Sequence, residues 1–302
     1  GRNLLPKAEK WRVLDLGAGV GAMGLGLLSF ASEKVPGLSV QIDAVDVDQD
    51  ALTLYRDALA ALDRDTLDLG DISIRIFRES TAKYTIEEGA YDLVVLGSVL
   101  NELSPNARND LAERALAGVN PEGSLIVIEP ALRETSRGLH EVRDSLLQSG
   151  ATVFAPCTRT SSPCPALDDS RDWCHEDRAV VLPSRARQMS QTTGLRDGGL
   201  KFSYIVMRHS AEALVSAPAG SAALRVVGQT QKSKGQKECF VCGELGRVRL
   251  RLLKRERSSE NRVFEKCRRG DVLTIESIAK GEGDRIDLRK GQNVERHQPA
   301  DG

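Results

Sequence analysis

Aromatic side chains are scarce in this chain of 302 residues: two Trp, four Tyr and six Phe, or 4% of the total. A surface that reads single strands by stacking bases on rings is therefore a poor match. Cysteine is absent from the first 156 residues, and all six lie beyond, at Cys157, Cys164, Cys174, Cys239, Cys242 and Cys267. No apolar run approaches the roughly 18 residues of a membrane helix, and no charged-then-apolar signal pattern opens the chain. A membrane partner is thus not expected, and a disulfide framework is less expected than a metal or cluster site. The expected compartment is the cytoplasm, as in a bacterium. The alternative is the mitochondrial matrix after loss of a transit peptide, since the chain starts at Gly1 rather than Met. Internal repeats are also lacking.

Apolar residues make up 40%, enough for a sizeable core. The length fits about two domains. The net charge of −1 hides an asymmetry. Residues 1–150 carry 15 Lys and Arg against 24 Asp and Glu, a net of −9, whereas residues 232–302 carry 18 against 12, a net of +6. An acidic front with a basic tail is the pattern of one part handling a small molecule and another meeting a polyanion.

Residues 11–16 read as a buried strand running into Gly-Ala-Gly-Val-Gly and a small-residue helix. Strands follow near 39–46, 72–76, 91–96 and 124–128, with helices near 49–62, 105–117 and 135–149 between or after them. Such alternation implies a doubly wound α/β sheet. Residues 156–200 are rich in Pro, Ser, Cys, Asp and Arg and lack periodicity; 151–155 and 201–208 read as neighbouring edge strands with this segment inserted between them. After a linker at 210–223, strands are expected near 224–228, 238–242, 246–253, 262–266 and 271–277, the size of a small OB-like barrel. The expected organisation is a class I (Rossmann-like) domain over 1–209 containing the Cys-rich insertion, a basic β-rich module over 224–279 and a disordered tail over 280–302.

In Asp15-Leu-Gly17-Ala-Gly19-Val-Gly21 the glycines permit a tight turn and close approach of a ligand at a helix N-terminus. NAD and S-adenosylmethionine domains share such loops. Asp15, two residues before the first glycine, favours S-adenosylmethionine, because an acid there can engage the positively charged methionine end. Asp46 ends the next strand, where a carboxylate would accept the ribose hydroxyls. At the end of the fourth strand, Asn101 and Glu102 are candidates to contact the methionine moiety or the acceptor. No Asn/Asp-Pro-Pro-aromatic motif and no Cys nucleophile stands there, so the catalytic residues stay unassigned beyond these two. Methyl transfer can run mainly on proximity and orientation.

Cys157, Cys164 and Cys174 occupy 18 residues of the aperiodic segment, and a bound metal would order it. Cys242 and Cys239 are the nearest candidates for a fourth ligand; four thiolates suit either Zn²⁺ or a [4Fe–4S] cluster. In Arg247-Val-Arg249-Leu-Arg251-Leu the arginines share one strand face, and Lys254, Arg255 and Arg257 extend the charge. Phosphate and shape recognition of structured RNA fits this face better than base stacking.

Together these motifs resemble the methyltransferase-like proteins associated with the small ribosomal subunit. The resemblance spans about Leu14 to Asp271. It is carried by Leu-Asp-Leu-Gly-Ala-Gly-Val-Gly, Leu-Asn-Glu-Leu at 100–103, Ile-Glu-Pro at 128–130, Ala-Pro-Cys at 155–157, Pro-Cys-Pro at 163–165, Asp-Trp-Cys-His at 172–175, Lys-Phe-Ser-Tyr at 201–204, Cys242-Gly-Glu-Leu-Gly and Arg-Gly-Asp at 269–271. It implies that Cys157, Cys164, Cys174 and Cys242 ligate a [4Fe–4S] cluster, and that the protein matures or stabilises the small subunit by binding its rRNA and proteins. The chain departs from relatives in having Glu176 after His175 and an extra Cys239, which keeps Cys239 as the alternative fourth ligand. A monomer is expected away from the ribosome. Three readings compete: a small-subunit rRNA methyltransferase, a non-catalytic assembly factor, and a zinc-stapled small-molecule methyltransferase.

Overall fold

The computed structural model describes residues 8–62, 66–194, 199–278 and 284–297. The chain runs β1 (Lys10–Leu16), α1 (Ala22–Lys34), β2 (Leu38–Asp46), α2 (Gln49–Ala60), β3 (Leu69–Arg78), β4 (Tyr91–Gly97), α3 (Pro105–Ala117), β5 (Val119–Pro130), α4 (Arg133–Gln148) and β6 (Thr152–Ala155). It continues through β7 (Glu176–Arg178), α5 (Ser184–Thr193), β8 (Leu200–Arg208), β9 (Ser221–Val226), β10 (Gln231–Ser233), β11 (Gln236–Gly243), β12 (Gly246–Leu253), β13 (Val272–Glu276), β14 (Arg285–Leu288) and β15 (Val294–His297). Two compact units result. The first holds residues 1–129, 138–155 and 205–214; the second holds 130–137, 156–204 and 215–302. The Cys-rich segment therefore groups with the C-terminal strands rather than with the front sheet that was expected to contain it.

The first unit is built on the sheet order β3-β2-β1-β4-β5-β8-β6. β1 through β5 pair in parallel where they meet, and β6 runs antiparallel to β8. This is the doubly wound, Rossmann-like α/β arrangement expected from the alternation of strands and helices. Trp11, Val13, Ile42, Leu52 and Tyr55 are fully buried in one core between sheet and helices. Such runs of Val, Ile and Leu suit strands covered on both faces. β1 lies between β2 and β4, where strand order reverses, so the carboxyl ends of these three strands border the crevice in which open α/β sheets bind ligands.

The second unit centres on a seven-stranded sheet, β14-β12-β11-β9-β13-β15, with β10 on β11. It departs from the expected small barrel in two places. Residues 262–266 form a 3-10 turn, because the buried Asn261 side chain binds the carbonyls of Glu256 and Arg289 and closes a loop there. Part of the expected disordered tail supplies β14 and β15. Ile286 and Leu288 alternate with Arg285 and Asp287, bury against the core and pair with β12, while residues 280–283 and 298–302 lie outside the described residues. The aperiodic segment 156–200 also carries β7, paired with β8, and the exposed helix α5. Among the described residues no helix is long and apolar enough to cross a membrane.

Candidate functional site

At the end of β1 the chain enters a turn fixed by backbone contacts to the end of β2. Gly17 and Ala18 donate to the Val45 carbonyl at 2.8 and 3.0 Å. Gly19 donates to Asp46 Oδ2 at 2.8 Å, while Asp46 Oδ1 accepts from the Asp48 amide at 2.9 Å. A Cβ at Gly19 would meet nothing within 4 Å, so the loop leaves open space beside Asp46. Gly21 caps α1 at φ +85° without a side-chain hydrogen bond, and a Cβ there would fall 2.1 Å from the Tyr55 ring. The sequence assigns Gly21 to a ligand; in the structure its first duty is to admit Tyr55 of α2.

Asp15 is buried at 1% exposure, and neither carboxylate oxygen makes a hydrogen bond among the described residues. Burial pushes its pKa up to about 7; the nearby Gly24 amide opposes this and Asp46 adds to it. The Tyr55 hydroxyl is likewise buried without a hydrogen-bond partner among the described residues. Burial, with Asp15 adding, raises its pKa. An unpaired buried carboxylate at the crevice is costly alone and suits a cationic ligand group.

Beyond β4, Ser98 is held at φ +59°, and its amide donates to the Ile128 carbonyl at 2.8 Å. The turn that follows exposes Asn101 and Glu102. Glu129, at the end of β5, was not singled out from the sequence and organises this turn. It is 1% exposed and accepts from the Leu100 amide at 2.8 Å. Burial raises its pKa, and the amides of Leu100, Asn101 and Val99 counter that shift. The Ile-Glu-Pro motif was its only sequence signal. Asp15, Gly17, Gly19, Gly21 and Asp46 thus come together at the carboxyl ends of β1 and β2, with Asn101 and Glu102 exposed on the turn after β4.

In the second unit, all six cysteines are thiols. Cys242 lies in the electrostatic field of Cys157, Cys174 and Cys164: burial raises its pKa first, these thiols raise it further, and Arg225 opposes them. Cys157 and Cys174 act similarly on Tyr204, whose pKa burial pushes up to about 12. Each connecting segment has an organiser. The Thr158 hydroxyl donates to the Cys242 carbonyl at 3.0 Å, and Arg159 to that of Glu244 at 2.7 Å. The Glu244 carboxylate accepts from the Thr160 amide and the Ser162 hydroxyl at 3.0 and 3.1 Å. Arg137 Nη1 donates to the carbonyls of Ala166, Asp169 and Asp172 at 2.8 to 2.9 Å. The Ser203 hydroxyl donates to the Cys174 carbonyl at 2.8 Å.

Cys239 stands apart from this set. It is three residues from Cys242 on β11, hence on the opposite face. It is buried in the strand core, where its hydrogen bond with Cys267 is the main cause of its raised pKa. Cys239, the alternative fourth ligand expected from the sequence, thus packs in the strand core on the face opposite Cys242. Among the described residues no three His, Cys, Asp or Glu side chains converge as ligands of a single metal ion.

The arginine face of β12 is largely engaged within its own unit. Arg251 pairs with both Asp287 oxygens at 2.7 and 2.8 Å, Arg247 pairs with Asp172, and Arg249 lies 3.9 Å from Glu238. Arg247 and Arg249 also stack over Phe240. Lys254 and Arg255 sit exposed in the turn after β12, with Arg255 3.7 Å from Glu256.

Residues 8–274 match a family described as Mitochondrial small ribosomal subunit Rsm22. No curated protein matches the chain. Solved structures with a similar fold include a S-adenosylmethionine-dependent methyltransferase of Leishmania major (14% identity, 68% of this chain and 67% of that one, TM-score 0.42). An arsenic(III) S-adenosylmethionine methyltransferase of Chlamydomonas reinhardtii also aligns (16%, 77% of each chain, 0.41). A third is a S-adenosylmethionine-dependent methyltransferase of Methanosarcina mazei (15%, 69% and 95%, 0.38).

Proposed function

Because the chain belongs to the Rsm22 family of mitochondrial small ribosomal subunit proteins, we propose that it is an S-adenosylmethionine-binding, methyltransferase-like protein acting on the small ribosomal subunit and its rRNA. The observation that carries this reading is the buried, unpartnered Asp15 carboxylate beside the Gly17–Gly21 turn. Asp15 would meet the methionine amine, Asp46 would accept ribose hydroxyls through its remaining lone pairs, and the space at Gly19 would let the ligand approach the backbone. Bound there, S-adenosylmethionine would supply an electrophilic methyl group on a sulfonium. Asn101 and Glu102 would orient the methionine end or the acceptor, with Glu129 keeping their turn in place.

A second reading, a non-catalytic assembly factor, draws support from the acids of the crevice. Asp15 and Glu129, the crevice acids whose pKa values rise, are both buried, so neither stands as an exposed base. Mass-spectrometric mapping of small-subunit rRNA from cells lacking the protein separates the two. Loss of a specific methyl group is expected; intact methylation with defective subunit assembly would establish the second reading. Calorimetry should show S-adenosylmethionine binding that Asp46→Ala weakens. No binding to the wild type would sink both forms of the cofactor reading.

Cys157, Cys164, Cys174 and Cys242 would hold a thiolate-bound centre. What supports this reading is donor chemistry: four soft ligands, with the half-buried Cys242 in the electrostatic field of the other three and the Arg225 guanidinium beside Cys174, although among the described residues they do not converge as the ligands of one ion. The resemblance implies a [4Fe–4S] cluster; Zn²⁺ is the alternative. Absorption near 400 nm (approximately) with iron and sulfide in anaerobically purified protein would identify the cluster. Zinc without that band would identify the ion. Of the two expected compartments, the family description supports the mitochondrial matrix.

A further inference from the structure

We infer that one end of the second unit's sheet is a docking surface for the phosphate backbone of folded RNA, built from the β10–β11 turn and the turn that follows β12. This rests on the rRNA reading above and names the surface that would serve it. β10, β11, β12 and β14 are neighbours in that order. Pairing of Ser233 with Gln236, Gln236 with Leu253 and Leu252 with Leu288 brings three segments to the same end: the turn at 234–235, the turn at 254–256 and the loop that begins at 289. The Lys254 amide donates to the Gly235 carbonyl at 2.8 Å, and the Lys290 amide to Glu256 Oε2 at 3.2 Å, so the three segments touch.

Lys232, Lys234, Lys254, Arg255 and Lys290 are exposed on these segments. The carboxylates beside them are Glu256, 3.7 Å from Arg255, and Glu260, which lies in the field of Lys290. Arg257 is matched by Glu265 at 2.8 Å. Glu238 and Asp287, farther along the strands, face Arg249 and Arg251. Five cations thus meet two carboxylates, and Lys232 and Lys234 stand in a run from Gln229 to Lys237 that holds no acid. Three strand spacings separate β10 from β14, roughly 14 Å, which is wider than one phosphate and suits a polyanion.

The chemistry of the patch selects among polyanions. Protein interfaces are poor in Lys and anchored by aromatic and apolar side chains. Here four of the five cations are Lys, and none of the large apolar side chains exposed among the described residues lies on these segments. Docking on an anionic membrane calls for such side chains too. Lys is a point charge suited to phosphate oxygens, and these segments carry no ring on which an unstacked base could sit. What remains is contact with the backbone of folded RNA, which fixes orientation and reads no sequence. Lys232, Lys234 and Lys290 lie outside the Arg247–Arg257 run and were not singled out from the sequence.

Filter binding of the full chain across a series of salt concentrations supplies the test. The probes are a hairpin transcribed from small-subunit rRNA, an RNA duplex of scrambled sequence and poly-glutamate. Lys232→Ala/Lys234→Ala should make the salt slope shallower by about two for both RNAs and weaken binding at about 0.1 M salt on the order of ten-fold or more. Lys232→Arg/Lys234→Arg should keep the wild-type slope. Both residues are exposed, so the melting temperature should not move in either variant. Arg185→Ala/Arg187→Ala removes the same charge from the exposed helix α5 and should leave RNA affinity unchanged, which separates a surface from net charge. A wild type that binds neither RNA sinks the rRNA reading and this inference with it. A wild type that binds RNA while Lys232→Ala/Lys234→Ala binds equally well, or while the α5 variant is weakened as much, sinks the inference alone. So does tighter binding of poly-glutamate than of either RNA, which would make an acidic protein the partner.

Discussion

Asp15 couples its own titration to the stability of the chain. Its pKa near 7 in the folded state lies above the usual 3.8. Between those values the folded chain holds a proton that the unfolded chain has released, so stability falls as pH rises from about 4 to about 7 and then levels off. Asp15→Asn should abolish this fall. The variant should match wild type near pH 4 and exceed it at pH 8 by an amount on the order of a few kcal/mol, as read by chemical denaturation. Equal stability at both pH values would mean that the carboxylate is satisfied in solution. Tyr55 poses a simpler case. Its buried hydroxyl lacks a hydrogen-bond partner among the described residues, so Tyr55→Phe should be neutral or stabilising by about 1 kcal/mol in thermal unfolding. A clear loss of stability would contradict this. The placement of Asp15, Gly17, Gly19 and Asp46 was legible in the sequence because a strand, a turn and a helix in succession define it locally. The roles of Glu129 and Tyr55 were not, since each acts only after β5 and α2 have packed beside the loop.

β11 shows what an element's periodicity decides. A spacing of three residues puts Cys239 and Cys242 on opposite faces of a strand, so that at most one of them can share a face with the other thiols, a constraint already readable once 238–242 is taken as a strand. Cys242→Ser should lower metal content, whereas Cys239→Ser should leave it intact while lowering stability by about 1 to 3 kcal/mol through a hydroxyl buried in the core. Metal analysis paired with thermal unfolding distinguishes these outcomes, and metal loss in Cys239→Ser would reverse the assignment. The front sheet was readable because β1, β2 and β4 carry buried apolar runs and β3 alternates Ile with polar residues. Residues 285–288 were not. Four residues of Arg-Ile-Asp-Leu look polar, and only burial of Ile286 and Leu288 against β12 makes them a strand. Residues 262–266 misled in the opposite direction, because the Asn261 side chain closes a turn that an apolar count does not register.

For the molecule as a whole, the sequence places −9 in residues 1–150 and +6 in residues 232–302, but net charge counts cations without asking which are committed. Arg251 holds Asp287 bidentately and Arg247 holds Asp172, so part of the basic face stabilises its own fold. An rRNA ligand would have to outcompete those carboxylates for the same guanidinium groups. Lys254 and Arg255 are more exposed, the latter at 78% and 3.7 Å from Glu256, so less desolvated competition stands against a phosphate there. Binding of a small-subunit rRNA fragment, measured across a series of salt concentrations, should weaken linearly on logarithmic axes. Arg255→Ala and Lys254→Ala should each make that slope shallower by about one and lower affinity without affecting folding. Arg251→Ala should instead lower stability, because it leaves Asp287 partly buried without its bidentate partner, and should change the slope little. If Arg251→Ala flattens the slope while Arg255→Ala does not, the paired strand is the RNA surface, and Asp287 is the group that RNA displaces.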